Sequence, residues 1–111
     1  MKRRYVIADV FTNTPFLGNP VAVVLDAEGM SSEQMQQVAV EFGYSETTFV
    51  LPPENLSSTA RVRIFTPSRE IPFAGHPNVG TAFVLAHHAI ENGQTLSDTL
   101  HFEEIAGMVP V

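Results

Sequence analysis

The chain has 111 residues, no cysteine and a formal net charge of −6, and 44% of its residues are apolar. That length suits one domain around one core, and the apolar content excludes wholesale disorder and fibrous repeats. Without thiols there is no disulfide framework, thiolate metal site or cysteine nucleophile, so any chemistry must use oxygen and imidazole. The six basic residues, Lys2, Arg3, Arg4, Arg61, Arg63 and Arg69, face twelve acidic ones, and none follows Arg69. This balance disfavours DNA or RNA as a partner. No apolar run reaches the roughly 18 residues of a membrane span, and Asp9 interrupts what would otherwise be a signal-peptide core. A cytoplasmic protein with no membrane partner is expected.

Residues 3–11 are rich in β-branched and aromatic side chains and predict a strand ending at the polar cluster Thr12-Asn13-Thr14-Pro15. A loop through Phe16-Leu17-Gly18-Asn19-Pro20 leads to Val21-Ala22-Val23-Val24-Leu25, which reads as a strand buried on both sides and paired like a hairpin with the first. Ser31 and Gln34 form a capping-box pattern ahead of Met35, Val38, Ala39 and Phe42 at helical spacing, and Gly43 suits the stop. Thr47–Leu51 predicts the next strand, closed by Pro52-Pro53. Ala60–Phe65 alternates as a strand with one covered face and ends at Thr66-Pro67-Ser68. Within it Arg61 and Arg63 read first as a solvated face, with local anion binding as the alternative.

A second helix is expected from Pro77 or Asn78 through Val79, Ala82, Phe83, Ala86 and Ile90 to a stop at Gly93. It is apolar on most sides up to His87-His88, which predicts burial by strands around much of its circumference. Leu96–Phe102 supplies a last strand, and Ile105–Val111 is weakly specified. The order of elements predicts an α+β fold with antiparallel or mixed pairing.

Two segments combine residues that core packing alone does not require. Gly43-Tyr44-Ser45-Glu46-Thr47-Thr48-Phe49 sets a carboxylate between a helix stop and a strand. A glutamate at such a junction is either a solvated turn residue or faces a cavity, where partial burial moves a carboxyl toward general acid or base duty. Glu70-Ile71-Pro72-Phe73-Ala74-Gly75-His76-Pro77-Asn78 leads into the second helix. Gly75 allows close backbone approach of a ligand, the first N–H groups of the helix can hold a carboxylate or enolate, and His76 adds a proton or hydrogen bond. The other reading is a Pro-Gly turn whose histidine caps the helix. Asn19 can offer its amide to a substrate carboxylate if its loop lies beside these segments. His87 and His88 point about 100° apart on a helix, cannot chelate one metal together, and read as structural. Without a phosphate loop, dinucleotide fingerprint or zinc spacing, a cofactor-free reaction is the economical expectation.

At these residues the chain resembles the N-terminal half of the PhzF family of phenazine biosynthesis. The resemblance rests on Asp9-Val10-Phe11, Pro15 to Val24, Met35-Gln36, Ser45 to Val50, Arg63 to Pro67 and Pro72 to Pro77, in that order over roughly residues 5–90. It implies a diaminopimelate-epimerase-like fold, in which each of two similar domains wraps a sheet or barrel around a central helix and the site lies between them. It also implies that Glu46 moves a proton on a dihydro-hydroxyanthranilate-type substrate, that Gly75 and His76 contact substrate, and that Asn19 borders the site. Related epimerases carry a cysteine where this chain has Ala74, so two-cysteine racemisation is not expected. Family members are more than twice as long, and the acidic residue and Thr-Gly-Ser-type motif of their second domain have no counterpart in these 111 residues.

The expectation is therefore one domain, residues 1–111, carrying half of a cofactor-independent isomerase site for a small acid and able to pair with itself as a homodimer. The competing expectation is a non-catalytic domain that keeps a half-cleft for a small carboxylate.

Overall fold

The computed structural model describes residues 4–10, 19–55, 58–72, 74–91, 93 and 100–111, with backbone alone for Asp9, Val10, Asn19, His76, Ile90 and Glu91. In chain order the elements are β1 (Tyr5–Val10), β2 (Asn19–Val24), α1 (Ser32–Phe42), β3 (Glu46–Leu51), β4 (Ala60–Phe65), β5 (Glu70–Ile71), α2 (Gly75–Glu91), β6 (His101–Glu104) and β7 (Gly107–Pro110). The strands form one mixed sheet in the order β1-β2-β3-β4-β6-β7, with β5 pairing beside β4. β1 and β2 pair antiparallel, as the sequence predicts. The parallel pairs are β2 with β3 and β4 with β6, and each is bridged by a helix, α1 in the first case and α2 in the second. A parallel pair needs such a crossover because the chain must return to the same end of the sheet.

The two helices cover opposite faces. Strand alternation sends Val24, Phe49 and Phe65 toward Met35 and Ala39 of α1. Val21 and Val23 meet Val84 of α2, while Ala60, Val62, Ile64 and Phe102 form a cluster against which Ala82 and Leu85 pack. The run Val21–Val24 is buried on both faces for this reason, at 4% exposure or less. In α1, Ser31 Oγ accepts from the Gln34 N–H at 3.1 Å and Gln34 Oε1 accepts from the Ser31 N–H at 2.9 Å, the reciprocal box expected. Gly43 stops the helix with φ +69°, a conformation that side chains disfavour.

Three expectations are corrected. α2 starts at Gly75, two residues before Pro77, so Gly75 and His76 are its first helical residues and not the turn ahead of it. Pro77 fits inside the first turn because its missing N–H would have had no helical partner there. The described sheet is also not closed: it covers one side of α2 and leaves Val79 at 46% and Phe83 at 63% exposure. The stripe facing the sheet includes Asn78 and Thr81, polar residues that an apolar count overlooks. Finally, the weakly specified tail forms an ordered hairpin of β6 and β7, with Glu104 opposite Gly107. Gly93, with φ +71°, lies just beyond α2 as expected, whereas 94–99, the start of the predicted last strand, and the loop 12–18 lie outside the described residues.

Candidate functional site

Glu46 opens β3, level with Val21 of β2. Alternation along β3 turns Glu46, Thr48 and Val50 to the α2 face and Thr47 and Phe49 to the α1 face. Thr48 demonstrates the first group, since its Oγ1 lies 2.8 Å from Thr81 Oγ1 of α2. Thr81 donates its one hydroxyl proton to the Pro77 carbonyl at 2.6 Å, so Thr48 must be the donor to Thr81. This buried relay ties β3 to the first turn of α2.

The relay also sets the level of the site. Val50 lies in the cluster that includes Ala82 and Leu85, one turn beyond Thr81, so α2 runs alongside β3 in the same direction. Stepping back from Thr48 to Glu46 covers roughly 6.6 Å, and stepping back from Thr81 to Pro77 covers about one turn, roughly 5.4 to 6 Å. Glu46 is thus level with the first turn that holds Gly75 and His76. Its Oε1 is buried. Asn19, the first residue of β2, precedes Val21 by two positions and lies at the same end of the sheet. The backbone therefore gathers all four candidates at one end; the side chains of Asn19 and His76 lie outside the described residues.

Electrostatically this end offers a helix N-terminus, where the macrodipole favours anions and the N–H groups of the first turn have no helical acceptors. A Cβ built on Gly75 would meet nothing within 4 Å, so nothing in the described chain requires glycine there; its open side faces outward. The segment entering α2 is anchored by Arg63, which donates from Nε and Nη2 to Glu70 at 2.8 and 2.7 Å and from Nη2 to Ser32 Oγ at 2.8 Å. Arg61 lies 3.6 Å from Glu54. Arg63 is thus committed to an internal carboxylate, which removes the anion-binding alternative for it. His87 stacks at a tilt on Phe83, 5.7 Å between ring centres, whereas His88 Nε2 lies 3.4 Å from Arg4 Nη1, so the two rings serve different neighbours. A hollow of about 1200 Å³ runs as an open trough along α1 from Met30 to Phe42 and includes none of the site candidates.

One titratable group here escaped the sequence reading. Asn78, 2% exposed in the first turn of α2, donates from Nδ2 to Glu104 Oε1 at 3.2 Å. Burial pushes Glu104 up to about 7, a rise that the Asn78 hydrogen bond only partly offsets. The sole signal in sequence was the alternation of Phe102 and Glu104 on one strand face, in a tail too short on contrast to stand out.

Residues 8–111 match the family described as phenazine biosynthesis-like protein. An uncharacterised isomerase of Mesorhizobium japonicum is 55% identical over 91 residues, covering 82% of this chain and 30% of that protein. A trans-2,3-dihydro-3-hydroxyanthranilate isomerase of Pseudomonas aeruginosa is 48% identical over 107 residues, covering 96% of this chain and 36% of that protein. The chain therefore spans about a third of the length of these relatives. The crystal structure of a Bacillus anthracis phenazine biosynthesis protein of the PhzF family superimposes with a TM-score of 0.82 at 40% identity, over 99% of this chain and 36% of that one. A hydroxyproline epimerase from Agrobacterium vitis shares the fold with a TM-score of 0.67 at 11% identity, over 97% of this chain and 36% of that one. The fold is diaminopimelate-epimerase-like, the named relatives are isomerases, and the chain belongs to the phenazine biosynthesis-like, or PhzF, family.

Proposed function

We propose that residues 1–111 form the N-terminal domain of a cofactor-independent isomerase, in which Glu46 moves a proton on a small cyclic hydroxy or amino acid of the dihydro-hydroxyanthranilate type. The observation that carries this reading is the buried Oε1 of Glu46 on the α2 face of β3, level with the first turn of α2. A carboxylate there removes a proton from an activated carbon. The C–H electron pair passes into the adjoining conjugated system, and Glu46 then returns the proton to another carbon, so substrate and product differ only in where hydrogen and double bonds lie. Gly75 and His76 hold the acid or enol oxygens at the helix N-terminus, and Asn19 contributes an amide. The outward opening at Gly75 supports close approach of the substrate to the backbone.

In a two-domain isomerase the cleft has a second wall. The partner proposed for this chain alone is a second copy, docked through the exposed Val79 and Phe83 of α2 and through β1, the edge strand of the described sheet, where Tyr5, Val6 and Ile7 are also exposed. The reaction is tested by incubating the chain with trans-2,3-dihydro-3-hydroxyanthranilate in D2O and following the substrate by NMR. Deuterium at a ring carbon together with a shift of the double bonds is expected. Saturable binding without deuterium incorporation would instead establish the non-catalytic carboxylate-binding reading.

A further inference from the structure

Asn78 and Glu104 form a pair whose proton count does not balance if Glu104 is ionised. Asn78 Nδ2 donates to Glu104 Oε1, but Asn78 Oδ1 and Glu104 Oε2 are both buried without a hydrogen-bond partner. An ionised carboxylate only accepts, so it leaves both of these buried oxygens without a donor; one proton on Oε2 supplies the missing donor and satisfies both. The acid and the amide then face each other as a ring of two hydrogen bonds.

We propose that Glu104 is a positioning residue for the candidate site: in its neutral form it closes a two-hydrogen-bond ring with Asn78 that clasps the β6–β7 hairpin to the first turn of α2. The hairpin carries a second link to the same region, because the Ala106 N–H donates to the Pro72 carbonyl at 3.4 Å, just ahead of Gly75. The clasp thus holds the helix start at Asn78 while the Thr48–Thr81–Pro77 relay holds it at Pro77. Losing the proton opens one hydrogen bond of the ring and leaves a buried charge, which loosens the turn that carries Gly75 and His76.

Among the described residues, few charged groups compete for Glu104. On β6 itself, Glu103 accepts from the backbone N–H groups of Glu54 and Asn55 at 2.8 Å each. Glu54 and Glu103 share with Glu104 a cavity of about 380 Å³ and add no positive charge to it. On β4, Arg61 lies beside Glu103 in register and 3.6 Å from Glu54. β7 offers Gly107 to Pro110, none ionisable, and Glu70, in the segment entering α2, is held by Arg63. α2 brings Asn78 and, within the same turn, His76. Burial, with no cationic partner for Glu104 among the described residues, agrees with the rise of Glu104 to about 7.

The positioning role rests on the proposed substrate contacts of Gly75 and His76, whereas the clasp itself does not depend on any activity. Both are read by NMR on the wild-type chain and on Glu104→Gln, whose neutral amide preserves the shape and both hydrogen bonds. The wild-type Glu104 carboxyl carbon should titrate with a midpoint near 7, and the backbone amides of Gly75 and His76 should shift with that same midpoint. In Glu104→Gln those two amides should show no such component. A Glu104 midpoint at the ordinary value near 4.5 would overturn the clasp. A raised midpoint with Gly75 and His76 unresponsive would overturn the positioning role. Neither result bears on whether Glu46 exchanges protons, so failure of the isomerase reading remains separately visible.

Discussion

Replacing Thr48 with valine keeps the side chain's shape and removes one hydroxyl from a buried relay. Thr81 retains its bond to Pro77, so the expected cost is about 1–2 kcal/mol in urea unfolding, with Thr48→Ser recovering most of it. The double variant Thr48→Val, Thr81→Val should lose less than the sum of the single losses, because the two hydroxyls share one bond. At Gly75 stability and function should part. The absence of any atom within 4 Å of a built Cβ predicts that Gly75→Ala changes stability by less than about 0.5 kcal/mol, while binding of a dihydro-hydroxyanthranilate acid, measured by titration calorimetry, weakens markedly. Equal binding by both proteins would contradict a backbone contact there. At this scale Glu46, Asn19, Gly75 and His76 stand out in the sequence as candidates because they fall in ordered motifs that resemble the PhzF family. Thr48, Thr81, Asn78 and Glu104 do not stand out as candidates. Each is an ordinary residue in an ordinary element, and its importance comes from a partner at least 26 positions away.

Elements were legible where a local rule and the tertiary contacts agree. The cap at Ser31, the stop at Gly43 and the alternation of β4 each need only near neighbours, and all appear as read. Ser31→Ala should therefore cost about 1 kcal/mol in chemical denaturation by releasing the Gln34 N–H. Phe49 is fully buried and meets Phe65 edge-on at 5.4 Å between α1 and the sheet, so Phe49→Ala should cost about 3–5 kcal/mol. The start of α2 was misread because proline is tolerated anywhere in a first turn, which leaves the boundary open by a couple of residues. The β6–β7 hairpin was missed because its two-residue loop, Ile105-Ala106, has none of the usual turn residues, and Gly107 with φ +121° sits just past it.

For the whole molecule, the raised Glu104 makes stability depend on pH. Its folded value of about 7 exceeds the ordinary 4.5, so between those values the folded chain holds more protons than the unfolded chain. Stability should be greatest below about pH 4.5 as far as this group is concerned, decline as pH rises toward 7, and level off above it. Because the site is partly open to solvent, the decline should amount to roughly 1–2 kcal/mol, and Glu104→Gln should remove it from the profile of urea midpoints against pH. The exposed face of α2 and the edge of β1 carry the prediction of self-association: light scattering should give twice the monomer mass, and Phe83→Glu should return it to monomer. The general fold was readable from ordered motifs, but the open side of α2 was not, since an apolar helix face looks the same whether strands or another chain cover it. All of these features serve one claim, that Glu46 is the proton carrier of an isomerase half-site. Deuterium incorporation into trans-2,3-dihydro-3-hydroxyanthranilate, measured side by side for wild type and Glu46→Gln in D2O, tests it most directly. Incorporation by wild type is expected, with at least a 100-fold loss, on the order of what general acid–base catalysis supplies, in the variant; equal rates in the two proteins would contradict a proton-carrying Glu46.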